Sequence, residues 1–135
     1  MPSEKEAIDA FLASGPFAVA GASTNRDKYG NKVLRCYQQN HKAPLYPLNP
    51  RAAEIEGLAC FANLVSLPEV PRSLSIITPP SITRQVVQEA IAAGVQHLWM
   101  QPGAEDDEAI QAAEQAGLGV IARGACLLVV LGYRE

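Results

Sequence analysis

Cysteine is scarce in this chain, charge of either sign is nearly balanced, and no apolar run is long. The 135 residues include three cysteines, Cys36, Cys60 and Cys126. They are odd in number, widely separated and form no C-x-x-C pair, which argues against a disulfide framework or a zinc site. Each is expected to be a small buried hydrophobe. Eleven basic and fourteen acidic residues leave a net charge of −3, without the basic surplus that binding a nucleic-acid backbone requires. The longest apolar run, Ala125 to Leu131, is far below the ~20 residues of a membrane span. Glu4, Lys5 and Glu6 stand where a signal peptide would carry a basic start and an apolar stretch. The expected address is the cytoplasm, with neither membrane nor nucleic acid as partner.

What is present is globular in make-up. Apolar residues are 48% and charged residues 19%, a balance that argues against intrinsic disorder. The length suits a single domain over 1–135 and is too short for two. Such a chain buries roughly 70% of its unfolded surface and needs no metal or disulfide staple.

Ser3 and Glu6 form a capping box ahead of Ile8, Phe11 and Leu12, so 1–14 reads as a leading helix packed on the domain. Phe17-Ala18-Val19-Ala20 is a continuous apolar run, the mark of a strand buried on both faces. Val33, Leu34 and Tyr37 mark a helix stopping near Asn40, and Pro44 to Leu48 alternates as a strand that Pro47 weakens. Leu58 to Phe61 reads as a short strand after Gly57. In the second half, Leu74, Ile76 and Ile77 make a strand. Ser81 is expected to cap a helix whose Ile82, Val86, Val87, Ala90 and Ile91 share one buried face, closed by Gly94. Val95 to Met100 and Leu118 to Ala122 are strands. Between them Ala109, Ile110, Ala113 and Ala116 stripe a helix that Gly117 ends. Strands alternating with helices predict one open, doubly wound parallel sheet with helices on both faces, a three-layer α/β/α domain.

In such sheets ligands sit beyond the carboxyl ends of the strands, where strand order reverses. Four such ends are legible: Gly21-Ala22-Ser23 leading to Gly30, Asn49-Pro50-Arg51, Thr78-Pro79-Pro80-Ser81, and Gln101-Pro102-Gly103. Small residues, hydroxyls, amides and prolines let a ligand approach the backbone, which suits a nucleotide better than hydrolysis. Gly21 and Gly30 are nine apart, unlike the compact glycine fingerprint of dinucleotide sites. The loop between them carries Ser23, Thr24, Asn25, Arg26 and Lys28, which suits a different phosphate position; alternatively Arg26 and Lys28 merely face water. At the second strand end a free ribose 2′-hydroxyl would meet an acid. Asn49-Pro50-Arg51 stands there instead, favouring a ribose with an extra phosphate, as in NADP or coenzyme A; alternatively Arg51 is simply a surface residue.

Catalytic groupings are thin. His41 reads as a surface residue at a helix end, His97 as structural, and Glu105 to Glu108 as a solvated first helical turn. No acid–base pair, nucleophile or metal cluster is legible.

The stretches Val19-Ala20-Gly21-Ala22-Ser23, Tyr29-Gly30, Pro47-Leu48-Asn49-Pro50, Ile55-Glu56-Gly57, Glu89-Ala90, Gly94, Trp99-Met100-Gln101-Pro102-Gly103 and Cys126 after Arg123 occur in this order. In them the chain resembles the small coenzyme A-binding proteins, stand-alone versions of the Rossmann-like domain of succinyl-CoA synthetase alpha subunits. The resemblance covers roughly residues 15–127 and implies coenzyme A, or an acyl-CoA, across the carboxyl ends of the sheet. By it, Gly21, Ala22 and Ser23 would receive phosphates, and Asn49, Pro50 and Arg51 would border the ribose and its 3′-phosphate. Thr78 and Pro79 would line the adenine or pantetheine wall, Gln101 and Gly103 would close the far side, and Lys32 would be a further phosphate partner. Pro102 departs from the pattern and stiffens its turn. The apolar tail Leu127 to Leu131 is expected to cover the sheet or join a homodimer or another protein.

The synthetase's phosphohistidine chemistry belongs to a second domain, which this sequence is not expected to carry, and neither His41 nor His97 falls at a matching position. The leading expectation is non-catalytic binding of coenzyme A or an acyl-CoA by a sensor, carrier or partner module. The alternatives are an NADP-binding oxidoreductase domain and an interaction protein with a vestigial crevice.

Overall fold

Phe17–Ala20 is buried at all four positions, and this strand, β1, has a parallel neighbour on each side. A computed structural model describes residues 3–135; Met1 and Pro2 of the expected leading segment lie outside the described residues. In chain order the elements are α1 (Glu4–Leu12), β1, α2 (Tyr29–Gln39), β2 (Leu45–Leu48), β3 (Glu54–Ile55), β4 (Leu58–Ala59), a 3-10 turn (Leu64–Ser66), β5 (Ser73–Ile76), α3 (Pro80–Ala93), β6 (His97–Met100), α4 (Asp107–Gln115), β7 (Gly119–Ile121) and α5 (Leu127–Leu131). Five strands form one sheet in the order β2-β1-β5-β6-β7, every pair parallel. This is the Rossmann-like α/β/α architecture expected.

Alternate residues of each strand serve the two faces. Phe17, Val19, Trp99 and Ile121 pack with Phe11, Val33, Leu34, Tyr37 and Leu127, from α1, α2 and α5. Ala18, Ala20, Leu74, Ile76, Leu98 and Met100 pack with Val87, Ala90, Ala109 and Ala113, from α3 and α4. Small residues on the second face let the two helices approach closely. On the first face β5 presents Ser73 and Ser75, both fully buried. Ser73 Oγ donates to the Phe11 carbonyl at 2.8 Å, and Ser75 Oγ meets the Tyr37 hydroxyl at 2.5 Å, so neither is left unsatisfied. Burial pushes the Tyr37 phenol well above its usual range.

Pro47 stands inside β2 without breaking it, because β2 is an edge strand. The Pro47 carbonyl accepts from Phe61 N on the outer side at 3.1 Å. The absent N–H would have pointed the same way, so β1 loses no partner. A hairpin that the sequence pattern does not reveal, β3–β4, turns through Glu56 and Gly57, both left-handed (φ 51° and 80°), as a two-residue primed turn requires.

Several expectations need correction. Ser81 caps nothing: α3 opens two residues earlier, with Pro79 as N-cap and Pro80 in its first turn, where a missing N–H costs nothing. On α3, Val87 and Ala90 are buried and Val86 and Ile91 pack against the core as expected, but Ile82 is 46% exposed and Thr83 is buried beside them. β6 begins at His97 and β7 spans only Gly119–Ile121, because Val95 and Leu118 are spent leaving the preceding helices. Ala116 lies beyond α4 and is exposed.

The acidic run is not a uniformly solvated turn either. Asp106 is the N-cap of α4 and is buried. Its carboxylate accepts from Ala109 N at 3.0 Å and from Arg84 Nε at 2.9 Å, joining α4 to α3. Burial alone would raise this carboxyl; the Ala109 amide and the Arg84 guanidinium outweigh it and hold the group below its ordinary range.

A carboxyl depressed in the folded state contributes stability above its unfolded pKa and loses it as pH falls toward the lower folded value. Melting temperature should therefore fall below about pH 4, and Asp106→Asn should flatten that acid limb while melting lower at neutral pH. Thermal melts of both proteins across the acid range read the difference. A second expectation concerns Gly30, where a Cβ would lie 2.0 Å from the Gly21 carbonyl oxygen. Gly30→Ala should cost about 2 kcal/mol or more, lowering the melting temperature by roughly 6 °C or more. Gly117→Asn should cost well under about 1 kcal/mol, since Gly117 is left-handed with open space around its Cβ position. Calorimetry of both variants checks the contrast.

Candidate functional site

The strand order reverses between β1 and β5, and a cavity of about 350 Å³ opens at the carboxyl ends of β1, β2 and β5. Its floor is Ala20, Gly21 and Ala22; Leu48, Asn49 and Pro50 form one wall, and Thr78 borders it from β5. The opposite wall is α3, through Ile82, Gln85, Val86 and Glu89.

Main-chain contact shapes the floor. Gly21 has φ +91°, and a Cβ there would lie 2.3 Å from the Ile77 carbonyl oxygen. The start of α2 seats Gly30 on the same turn, and no side chain caps that helix end. Asn49 ties the second strand end to the first. Its Nδ2 donates to the Ala22 carbonyl at 2.8 Å, and its Oδ1 accepts from Arg51 N at 2.8 Å. The Arg51 side chain is exposed and makes no ion pair among the described residues.

The loop from Ser23 to Lys28 is ordered by its own polar groups. Ser23 Oγ accepts from Asn25 N and Asn25 Oδ1 from Asp27 N, each at 3.0 Å. Fully buried Asn31 donates to the Ser23 carbonyl at 2.8 Å and to Glu56 Oε2 at 3.2 Å, and accepts from Arg35 Nε at 2.7 Å. Arg35 also donates to the Arg26 carbonyl at 2.7 Å. Arg26 itself pairs with Glu56 at 2.5 Å. The Asn31 amide first, then Arg26, hold the Glu56 carboxyl below its usual range.

Of the residues singled out in the sequence, Gly21, Ala22, Asn49, Pro50 and Thr78 line the cavity together. Ser23, Gly30 and Arg51 lie outside that lining: Gly30 sits against the Gly21 carbonyl, the Arg51 amide bonds Asn49, and Ser23 follows Ala22 in the chain. Pro79 opens α3, and the Thr78 and Thr83 hydroxyls meet at 2.8 Å. Arg26 is engaged by Glu56. Lys32 lies away from the lining, 3.8 Å from Glu135. Gln101 is fully buried; its Oε1 accepts from Tyr29 OH at 3.2 Å and from Leu127 N at 2.9 Å, while its Nε2 has no protein partner. Tyr29 OH also contacts Cys126 Sγ, and burial, then this contact, drive the phenol above its normal range. Gly103 turns at φ +97° with its N–H donated to Glu105 at 2.8 Å.

Ile82, Gln85, Val86 and Glu89 were not read as site residues. The spacing places Ile82 and Val86 on the buried face with Val87 and Ala90. In the structure Thr83 joins Val87 and Ala90 at the centre of that face, and Ile82 and Val86 reach its margin, where they line the cavity. A larger cleft, about 580 Å³, runs along the open edge of β7 beneath α1. Its polar lining includes Glu4, Glu6, Glu114 and His97, with no Lys or Arg to receive an anion. Burial and then Arg72 hold the His97 imidazole below its ordinary range, as suits a structural histidine.

Comparison with known proteins bears on this crevice. The chain is 25% identical over 114 residues to an ADP-forming acetate–CoA ligase of Archaeoglobus fulgidus, a match covering 77% of this chain and 16% of the ligase. Against the alpha subunit of a second such ligase, from Pyrococcus furiosus, it is 23% identical over 124 residues, 84% of this chain and 27% of the subunit. The chain thus spans a quarter or less, approximately, of these curated relatives' length. Among solved structures, a conserved hypothetical protein from Pyrococcus furiosus superposes with a TM-score of 0.78 at 38% identity, covering 84% of this chain and 97% of that one. A hypothetical protein from Pyrococcus horikoshii gives 0.84 at 25% identity, covering 95% and 89%. Residues 16–132 match the model of the CoA binding domain, and this chain belongs to that family.

Proposed function

We propose that the protein binds coenzyme A or an acyl-CoA at the carboxyl edge of its sheet and holds it without transforming it. The observation that carries the reading is the cavity at the reversal of strand order, in a chain matched over 16–132 by the CoA binding domain. Its lining combines apolar side chains with amides and a hydroxyl, the mixture by which nucleotide sites bury a base and orient it. Gly21, Ala22 and Ser23 present backbone groups to phosphates, and Asn49, Pro50 and Arg51 face the ribose and its 3′-phosphate. Thr78, Pro79, Gln101 and Gly103 follow along the ends of β5 and β6, the path of the pantetheine arm.

Among the described lining residues Glu89 is the only titratable side chain, and Gln85 donates to it at 3.2 Å. Proton transfer needs a group within hydrogen-bond reach of the reacting atom, and a lone wall carboxylate supplies one partner, not an acid–base pair. Fold and ligand class are what carry over from the acetate–CoA ligases; their reaction is not proposed for this chain.

A thermal-shift panel of coenzyme A, acetyl-CoA, dephospho-coenzyme A, NAD and NADP tests the proposal. At about 100 times its dissociation constant a ligand adds ~2.7 kcal/mol, or roughly 5 to 10 °C for a domain of this size. The shift is expected in the coenzyme A series alone; a shift with NADP alone would overturn the reading. If Arg51 reads the 3′-phosphate, Arg51→Ala should weaken coenzyme A by about three- to tenfold and leave dephospho-coenzyme A nearly unchanged. Titration calorimetry with both ligands checks it, and equal losses remove Arg51 from the site.

A further inference from the structure

Glu56 sits on the β3–β4 hairpin, outside the cavity lining, yet its carboxylate occupies the side chain of Arg26 on the loop after β1. The two ends of this ion pair are held very differently. The Glu56 side chain is 18% exposed and its position is over-determined. Asn31 donates to its Oε2, and Gln38 Nε2 donates to its backbone carbonyl at 3.0 Å. The Arg26 side chain is 61% exposed, while its backbone is fixed by Arg35. The guanidinium is therefore a movable head on a fixed stem, parked on a fixed carboxylate.

We infer that Glu56 is a resident counter-ion for Arg26, competing with the pyrophosphate of an incoming coenzyme A, so that this pair sets how strongly the site weighs phosphate charge. The inference rests on the coenzyme A reading above. Arg26 lies four residues after Ala22, the last residue of the crevice floor, on a loop that Asn31 ties to the start of α2 through the Ser23 carbonyl. Guanidinium and phosphate match in charge and fork geometry, and a carboxylate already bound through one guanidinium nitrogen competes with the phosphate for that charge. A carboxylate competitor lowers affinity for phosphorylated ligands and leaves affinity for the uncharged arm alone. The Arg26 end of the pair is solvent-exposed, and water screening weakens its hold on the carboxylate, so the head can exchange partners while Glu56 stays in place.

Glu56→Gln removes the charge while retaining an oxygen for Asn31. It should tighten coenzyme A by roughly three- to fivefold and leave pantetheine, which lacks the pyrophosphate, unaffected. Arg26→Ala should weaken coenzyme A, and in that background Glu56→Gln should have no further effect, since the competitor acts only through Arg26. Titration calorimetry of the four proteins with both ligands, alongside unliganded melts, reads the cycle. Weaker coenzyme A binding by Glu56→Gln, an unchanged affinity, or a gain that persists without Arg26 would each overturn the inference. If the wild-type protein binds no member of the coenzyme A series, it is the functional reading that fails.

Discussion

Three stretches of main chain meet at the end of β1 with no room for a side chain between them. Gly21 lies against the Ile77 carbonyl, and Gly30 lies against the Gly21 carbonyl. A methyl group at either contact would overlap a carbonyl oxygen, so the first turn of α2, the end of β1 and the exit of β5 are locked in one arrangement. The crevice is the space this leaves. Its floor is backbone because only backbone fits there, and the groups it presents at that floor are main-chain atoms and the small side chain of Ala22. Asn49 extends the same logic to β2 by bonding the Ala22 carbonyl, so three strand ends present one continuous edge.

Charge enters at a second level, in pairs that place structure more than they stabilise it. Exposed ion pairs contribute about 0–1 kcal/mol each, too little to hold the loop after β1. The fully buried amide of Asn31 carries that burden. Its donor is shared between Ser23 and Glu56 and its acceptor is given to Arg35, and leaving such a group unmatched would cost about 1–3 kcal/mol. Arg35 and Arg26 then follow from the position of Asn31. On the far side of the sheet, Asp106 and Arg84 play a similar part between α3 and α4. There the burial of one partner makes the pair sensitive to acid.

Most of the architecture is legible in the sequence, because it rests on periodicity and punctuation. Phe17–Ala20 is apolar throughout because it has a sheet neighbour on both edges and helices on both faces. The Ser3–Glu6 box forms as read, with both reciprocal bonds present, and Gly94 closes α3 in the left-handed conformation. What pattern does not convey is rotation and partnership. Ile82 and Thr83 both satisfy helical spacing with Val87 and Ala90, and only the fit of the helix against the sheet decides that Thr83 is the one buried. β4 is legible as part of the apolar run Leu58 to Phe61, but its two-residue partner β3 is too short for any alternation to register. At the site, the residues flanking the strand ends were legible because strand termination and glycine punctuation mark them. The α3 wall was hidden by its resemblance to core, and the Asn31–Glu56 link joins side chains 25 positions apart with no local signal.

The distribution of ionisable groups also separates holding a ligand from acting on it. His97 opens β6 and so lies at the amino end of the sheet, away from the crevice, where burial and Arg72 disfavour its charge. His41 follows α2 in a left-handed, exposed turn. Cys36 is buried, and burial followed by the nearby Cys126 raises its thiol to about 11, far from thiolate chemistry at neutral pH. On the reading proposed above, a crevice floored by backbone and walled by amides, apolar groups and the Glu89 carboxylate orients a nucleotide through many weak contacts. Transforming one would require a base or nucleophile beside the reacting atom. The acetate–CoA ligases match this chain over only 16–27% of their length, which leaves ample chain in them for such groups. A crevice of this kind can therefore serve as a holding site in one protein and as one part of an enzyme in another without any change in how its strand ends are built.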